Sequence, residues 1–251
     1  MDKPEDFLQQ LLNIGALMIS VGSEVKRVED TLSRMGLAYG AEDMSVFAIN
    51  TNIIITMTLF DKRIITQTRR VHASEGTDFL KLEQLNNLSR FYCAAPFSVK
   101  QIEAELSKIE KQKPKKLSLY LGSALAAGSF AVFFGGSFAD GLAAAVFAVI
   151  ICLFQEKGAQ LLANNVMFNL VCSFFTGTLI CLTVKFLPFF HADKIMIGDI
   201  MLLIPGIAIT NSIRDMLMGD TIAGIMRLIE SILWAGALAS GFMASIWMVG
   251  I

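Results

Sequence analysis

The feature that most constrains this chain is the stretch from Leu117 to Ile251, which is nearly free of charge. It holds only 12 of the 43 charged residues of the chain (21 basic and 22 acidic), and the other 31 lie before it. Charge is costly in a hydrocarbon layer, and a helix needs about 20 apolar residues to cross one. The stretch therefore predicts a membrane domain, and the charged first part predicts a domain in water.

The apolar stretch divides at its polar breaks into five candidate membrane helices. These are residues 117–138, 141–156, 163–187, 195–213 and 221–249. The second is short for a crossing and the fourth contains Pro205, so four crossings with one re-entrant segment are the alternative. The predicted fold is an N-terminal α+β domain (1–112) followed by an all-α polytopic membrane domain (113–251) with about five transmembrane helices.

The first part of the chain has the pattern of an α+β domain. Helical periodicity and β-branched runs predict two helices, three strands and two helices, at 6–21, 24–39, 45–50, 53–60, 63–71, 77–92 and 98–112. Gly40 is expected to end the second helix. Ser23 is placed to cap that helix, and Ser98 with Gln101 is spaced as a capping box.

Four lysines mark the boundary between the two parts: Lys111, Lys113, Lys115 and Lys116. Lysines just before an apolar run indicate the cytoplasmic side of a membrane. The N-terminus shows no apolar segment after a basic start, so a secretory signal is not expected. A cytoplasmic N-terminus follows. The net charge of −1 gives no argument for nucleic acid, and the scattered Cys and His residues predict no metal and no cofactor.

A polar cluster interrupts the apolar stretch near its end. Its members are Pro205, Gly206, Thr210, Asn211, Arg214, Asp215, Asp220, Arg227 and Glu230. Charge inside a bilayer persists mainly where it is paired or lines a polar path, so the cluster favours a transporter over a soluble enzyme. The structural alternative is a packing kink at Pro205 and an ion pair between Arg227 and Glu230.

The transport hypothesis gives these residues roles. Arg227 binds a substrate carboxylate, and Thr210 and Asn211 supply hydrogen bonds at the Pro205-Gly206 break, where backbone carbonyls become free. One of three carboxylates binds the coupling proton or balances the positive charge of Arg227: Asp215, Asp220 or Glu230. A small carboxylate-bearing substrate and a proton gradient as the driving force follow from this hypothesis.

A second polar motif follows Gly22, at the start of the second predicted helix. It comprises Glu24, Arg27, Glu29 and Asp30. The simple explanation is a solvated helix face with ion pairs between neighbouring turns. The alternative is a cytoplasmic domain with hydrolytic or ligand-sensing activity, attached to a membrane anchor. Convergence of these side chains in a pocket would favour that alternative.

Two long segments resemble the threonine/serine exporter family: LLNIGALMISVGSEVKRVEDTLSRMGLAYG and MLLIPGIAITNSIRDMLMGDTIAGIMRLIES. The resemblance implies a transporter, not an enzyme, that exports threonine, serine or small dicarboxylates such as succinate. It implies the short, split form of the family, which works in the bilayer with a second small membrane subunit and/or as a homo-oligomer. The implied motif positions are Gly22, Glu24, Arg27, Glu29, Asp30, Pro205, Gly206, Asn211, Asp215, Gly219, Asp220, Gly224, Arg227 and Glu230.

Overall fold

The computed structural model describes residues 3–71, 76–113, 115–158 and 165–250, and these are mostly helical. The chain divides into two compact units. Unit 1 comprises Met1–Lys113 and Gly206–Ile229, and unit 2 comprises Pro114–Pro205 and Glu230–Ile251. The apolar pattern groups residues 206–229 with the membrane stretch, whereas in the structure they pack in the unit of the N-terminal residues.

Unit 1 combines helices with one small sheet. Its elements are α1 (Pro4–Ser20), α2 (Val25–Tyr39), β1 (Ala41–Ile49), β2 (Asn52–Leu59), β3 (Ile64–Arg70), α3 (Phe79–Ala94), α4 (Val99–Lys111), α9 (Gly206–Leu217) and the first turns of α10 (Thr221–Val249). The predicted order of two helices, three strands and two helices in the N-terminal part is confirmed.

The three strands form an antiparallel sheet in the order β1-β2-β3. Alternate residues of β2, namely Ile53, Ile55 and Met57, are fully buried, because side chains of a strand point to opposite faces in turn. The hydroxyl groups of Thr56 and Thr66 are hydrogen-bonded across the more exposed face, 2.9 Å apart. Helical side chains complete the core, among them Phe7, Leu8, Leu11, Leu32 and Met35.

Local capping signals explain most of the element boundaries. Gly40 ends α2 in the left-handed conformation, with φ of +107°, as predicted. At the start of α4 the side chain of Gln101 accepts the Ser98 N–H at 3.1 Å, and the predicted capping box is present. The prediction that Ser23 caps α2 is wrong, since α2 begins at Val25 and the residue between them occupies the cap position.

The first strand also begins earlier than its sequence pattern predicts. β1 starts directly after Gly40, whereas the β-branched pattern places the strand at 45–50. The additional residues, Ala-Glu-Asp-Met, include three of the residue types that strands disfavour. Their strand conformation comes from pairing with the end of β2, where Ala41 lies opposite Leu59 beside a register shift. Tertiary pairing therefore overrides local preference here.

Unit 2 is helical in the part of the chain that the structure describes. It contains α5 (Lys116–Phe133), α6 (Phe138–Gly158), α7 (Asn165–Phe186), α8 (Ala192–Leu203) and the later part of α10. Four helices, α5, α6, α7 and α10, are long and apolar enough to cross a membrane. Between 11% and 39% of their spanning residues are buried, so most of their apolar surface remains available to lipid. A polytopic membrane domain is confirmed.

A fifth span depends on the break between α8 and α9. Together these two helices are apolar enough to count as one crossing, but Ile204 and Pro205 separate them. Proline removes a helical hydrogen bond and clashes with the preceding turn, which explains why the predicted span 195–213 is interrupted there. The structure therefore has four to five candidate spans, in agreement with the prediction of about five and with its alternative of four crossings and a re-entrant segment. The first two residues of the predicted span 163–187 lie outside the described residues.

Candidate functional site

The turn between α1 and α2 brings the two predicted polar motifs together within unit 1. Gly22 has φ of +88°, a conformation that glycine adopts without strain. Asn211 Nδ2 donates a hydrogen bond to the Gly22 carbonyl at 3.3 Å, and Arg227 Nη2 donates one to the Ser23 carbonyl at 3.0 Å. The N-terminal motif and the polar cluster near the other end of the sequence therefore form one site.

A buried ion pair lies against this turn. Arg227 Nη1 is 3.0 Å from Asp215 Oδ2, and the two side chains are 11% and 1% exposed. The backbone N–H of Val25, at the start of α2, also donates to the Asp215 carboxylate. Removing one partner of a buried pair leaves an uncompensated charge, so this pair holds α9 and the start of α10 against the turn.

A second ion pair joins the same segments closer to solvent. Arg214 Nη1 contacts Glu24 Oε1, and the arginine side chain is 61% exposed. Exposed pairs of this kind contribute little to stability, because water screens them and two long side chains must be ordered. This pair matters for the site because the side chains of Arg214 and Glu24 both line a cavity.

The carboxylates of Glu29 and Asp220 lie within electrostatic range of each other. Glu29 Oε1 accepts the Ala48 N–H at 3.0 Å, and its ion pair with Lys26 is long, at 3.9 Å. Burial raises the pKa of Glu29, and the charge of Asp220 raises this pKa further. Asp220 Oδ2 is buried and accepts no hydrogen bond from a described residue. Burial and this neighbouring charge therefore both favour the protonated form of Glu29.

A cavity of about 540 Å³ is lined by side chains of α2, α3 and α9 and by the turn before α2. Its charged lining residues are Glu24, Arg27, Glu83, Arg90 and Arg214, and its amides are Asn86, Asn87 and Asn211. Within the described residues, Arg27 and Arg90 take part in no ion pair. Their guanidinium groups therefore present unused hydrogen-bond donors to an anion in the cavity.

A smaller cavity of about 210 Å³ shares part of this lining. Arg27, Asn86 and Arg90 border both cavities. The second cavity is also bordered by Asp30 and Arg34, whose side chains form an exposed ion pair at 3.0 Å. Arg27 and Arg90, which form no ion pair with a described residue, are thus accessible from both cavities.

Comparison with known proteins identifies the family. The family model described as "Putative threonine/serine exporter" matches residues 9–249. The chain belongs to this exporter family. It is 25% identical to the threonine/serine exporter of Corynebacterium glutamicum over 239 residues, which is 91% of this chain and 48% of that protein. The "Probable succinate transporter subunit YjjP" of Escherichia coli (strain K12) is 25% identical over 221 residues, 86% of this chain and 84% of that protein.

A third relative has the same pattern of coverage. The "Probable threonine/serine exporter" of Mycobacterium tuberculosis is 22% identical over 245 residues, 95% of this chain and 45% of that protein. The chain thus spans about half the length of the two threonine/serine exporters that it matches. No solved structure shows significant similarity to it. These matches confirm the resemblance to the exporter family, and the relatives are named as transporters rather than enzymes.

In this exporter-family chain the predicted substrate-binding residues occupy different places. Asn211 lines the cavity, whereas Arg227 lies behind the turn with both Nη atoms hydrogen-bonded. Thr210 is exposed, and its hydroxyl donates to the carbonyl of Gly206 at 3.0 Å within α9. Pro205 is partly buried at the break before α9. The structure therefore brings one of the five directly to the cavity wall.

The other predicted residues also separate. Glu24 and Arg27 line the cavity, while Asp30 pairs with Arg34 on the surface of α2. Of the three carboxylates proposed for proton coupling, Asp215 is paired and Asp220 lies near Glu29, as described above. The third, Glu230, is exposed and belongs to unit 2. No group of three metal-binding side chains occurs among the described residues, and His72 lies outside them.

Four polar lining residues on α3 were not predicted from the sequence: Glu83, Asn86, Asn87 and Arg90. Asn86 and Arg90 are four residues apart, so they share one face of the helix. This spacing is a usable signal for a polar face. A solvated helix surface has the same pattern, and only the fold shows that this face borders a cavity.

Proposed function

We propose that this chain is a membrane subunit of a secondary transporter that exports small carboxylate-bearing metabolites, driven by the proton gradient. Its substrates are small amino acids such as threonine and serine, or small dicarboxylates such as succinate. The family membership supports a transport function, and the names of the C. glutamicum and E. coli relatives support these two substrate classes.

The observation that carries the proposal is the cavity with two arginines free of ion pairs. Its volume of about 540 Å³ lies within the usual range for small-molecule sites. Arginine binds a carboxylate through two parallel hydrogen bonds, so Arg27 or Arg90 supplies the anchor for one acidic group. An amino acid would place its ammonium group near Glu24 or Glu83, whereas a dicarboxylate would use both arginines.

We place the N-terminal part of unit 1, residues 1–112, on the cytoplasmic side of the bacterial inner membrane. The lysines at the end of the N-terminal region support this orientation, because basic residues beside a span favour the cytoplasm. A substrate in the cytoplasm would then have access to the cavity of unit 1. The proposed cavity is in this view the loading site of the exporter.

The residues behind the cavity have proposed roles in the transport cycle. Binding of a substrate carboxylate by Arg227 stays a prediction. To bind substrate, Arg227 would have to break its hydrogen bonds with Asp215 and with the Ser23 carbonyl. In the conformation described, we assign Arg227 and Asp215 the task of holding the turn that forms the cavity wall. The Glu29–Asp220 pair is the site in unit 1 where a coupling proton would bind most readily, and Glu230 would act elsewhere.

We further propose a second small membrane subunit as a partner, with self-association of this chain as the other arrangement. The E. coli relative is named as a transporter subunit, which supports assembly with another chain. Co-purification of the tagged full chain with its membrane partner tests this proposal, and recovery of the chain alone in an active state would contradict it.

The cavity is tested with Arg27→Gln and Arg90→Gln, each compared with Arg63→Gln. Arg63 is an exposed arginine in the β2–β3 turn that pairs with Asp61 and borders neither cavity. A charge-assisted hydrogen bond contributes about 1.5–3 kcal/mol, so each cavity variant should bind substrate about 10- to 100-fold more weakly. Binding of radiolabelled threonine, serine and succinate to the purified full chain, and efflux from loaded cells, are the measurements.

The control variant should bind and export as the unchanged protein does. The double variant Arg27→Gln with Arg90→Gln should lose more affinity for succinate than for serine, if both arginines hold a dicarboxylate. Unchanged binding and efflux in both single variants would contradict the proposed site.

A further inference from the structure

Unit 2 contains a buried carboxylate that the proposed site does not use. Asp199 lies on α8 and is 0% exposed, and neither of its oxygen atoms has a hydrogen-bond partner among the described residues. Thr176 on α7 is also buried, and its hydroxyl interacts with the thiol of Cys172. Buried polar groups are nearly always hydrogen-bonded, so a carboxyl group without any partner calls for an explanation.

The surroundings of Asp199 are apolar and closely packed. The neighbouring Gly198 lies so near α5 that a Cβ atom on it would come within 2.5 Å of the Ala127 carbonyl oxygen. One turn further along α8, Leu203 belongs to a buried cluster that also contains Ile151, Cys172 and Leu238. Asp199 and Leu203 are four residues apart and share a helix face. The carboxyl group therefore lies in a dry part of the unit.

The charged side chains that the structure describes on the helices packed against α8 are engaged elsewhere. Lys116 of α5 pairs with Glu156 of α6, and Tyr120 donates to the same carboxylate. Lys185 of α7 donates to the Val249 carbonyl. On α8 itself, Lys194 pairs with Asp193. The ionisable group that interacts with Asp199 is the thiol of Cys172, which carries no positive charge.

Asp140 shows how the same unit treats a structural buried aspartate. It is also 0% exposed, but its oxygen atoms accept hydrogen bonds from the backbone N–H and hydroxyl of Ser137, at 2.7 Å each. The backbone N–H of His191 donates to it at 2.8 Å, and the His191 ring lies 3.0 Å away. The fold therefore can satisfy a buried aspartate fully, and it does not do so at Asp199.

We infer that Asp199 is a proton-binding group of the membrane unit, protonated in the conformation described and deprotonated when the transport cycle brings water to it. The inference rests on the proposed proton-driven export. A neutral carboxyl group tolerates an apolar environment that an unpaired carboxylate does not. On release, the O–H bond of the carboxyl group breaks and water takes the proton; on rebinding, the carboxylate takes a proton back.

The protonation state is measured by infrared spectroscopy of the full chain in lipid vesicles at neutral pH. The unchanged protein should show the C=O stretching band of a protonated carboxyl group, and Asp199→Asn should lose it. Asp193→Asn is the matched control, because that aspartate lies on the same helix with its side chain 66% exposed. Absence of the band from the unchanged protein, or its persistence in Asp199→Asn, would overturn the inference.

The role in transport is measured in vesicles that contain the chain together with its membrane partner, with an imposed pH gradient. Asp199→Asn should lose at least 90% of the gradient-dependent efflux and still bind substrate at the cavity of unit 1, and Asp193→Asn should retain both. Equal gradient dependence in Asp199→Asn and the unchanged protein would remove Asp199 from coupling. If the unchanged protein shows the infrared band but no gradient-dependent efflux, the proposed function fails, and proton binding by Asp199 stands.

Discussion

The two units treat a buried carboxylate in opposite ways. In unit 1, Asp215 is paired with Arg227 at 3.0 Å and receives a backbone N–H at the start of α2. In unit 2, Asp199 is equally buried and has no described partner. A paired charge fixes elements in place, whereas an unpaired carboxyl group is free to change its protonation state. Asp215 therefore stabilises the structure of the site, whereas we assign proton binding to Asp199.

The largest effect is expected from breaking the pair in unit 1. Arg227→Ala leaves Asp215 buried without its cation, which should lower the free energy of unfolding by about 3–5 kcal/mol. Asp215→Ala should cost a similar amount, and the double variant should cost less than the sum of the two. The measurement is unfolding of the purified full chain in detergent.

Arg34→Ala provides the control for this prediction. Its pair with Asp30 is exposed, so its loss should be too small to detect. Additive losses in the Asp215–Arg227 cycle would show that the pair does not hold the turn, and the contrast with Asp199 would then disappear.

A smaller effect should distinguish the two buried aspartates of unit 2. Asp140→Asn replaces acceptors of several hydrogen bonds with an amide that also donates, and should cost about 1–3 kcal/mol. Asp199→Asn should leave the unfolding free energy nearly unchanged, because an amide resembles a protonated carboxyl group in size and charge. Equal destabilisation by both substitutions would mean that Asp199 is ionised in the folded protein.

The smallest effect concerns the pH dependence of unit 1. Because the folded state raises the pKa of Glu29, it binds this proton more tightly than the unfolded chain does. The contribution of Glu29 to the free energy of unfolding is fully present below the ordinary pKa of glutamate. It is lost as the pH rises through the raised pKa of Glu29 in the folded protein. Glu29→Gln should therefore be more stable than the unchanged protein above this window and equal to it below.

Asp61 serves as the control of opposite sign. The Arg63 N–H and side chain lower the pKa of this exposed aspartate, so its contribution is present above its ordinary pKa and is lost as pH falls. Unfolding curves of Glu29→Gln and Asp61→Asn across acidic and neutral pH test the two predictions. A stability gain in Glu29→Gln that does not change with pH would rule out titration as its cause.

Local patterns predicted the elements of this protein better than its long-range packing. Helical spacing, Gly40 and the Ser98–Gln101 box predicted α2 and α4, and Pro205 predicted the break in the fourth span. The hydrogen bond from Arg227 to the Ser23 carbonyl joins residues 204 positions apart, and no local pattern encodes such a contact. For that reason the sequence suggested two separate motifs, whereas the fold unites them beside one cavity.

Asp199 illustrates a different limit of prediction from sequence. Asp199 is visible in the sequence as a lone acidic residue within the predicted span 195–213. A lone acid near one end of an apolar segment is also typical of a residue close to the membrane surface. Its burial and its lack of partners depend on how α8 packs against its neighbours, so only the fold distinguishes these two cases.

The distribution of the four cysteines has a practical consequence for following this protein in action. Cys93 is exposed, whereas Cys152, Cys172 and Cys181 are buried. Partial burial raises the pKa of the Cys93 thiol, so mildly alkaline buffer favours its reaction with a maleimide dye. The dye would attach at one natural position, beside Arg90 on the wall of the smaller cavity. Its emission would report the arrival and departure of cargo without any engineered cysteine.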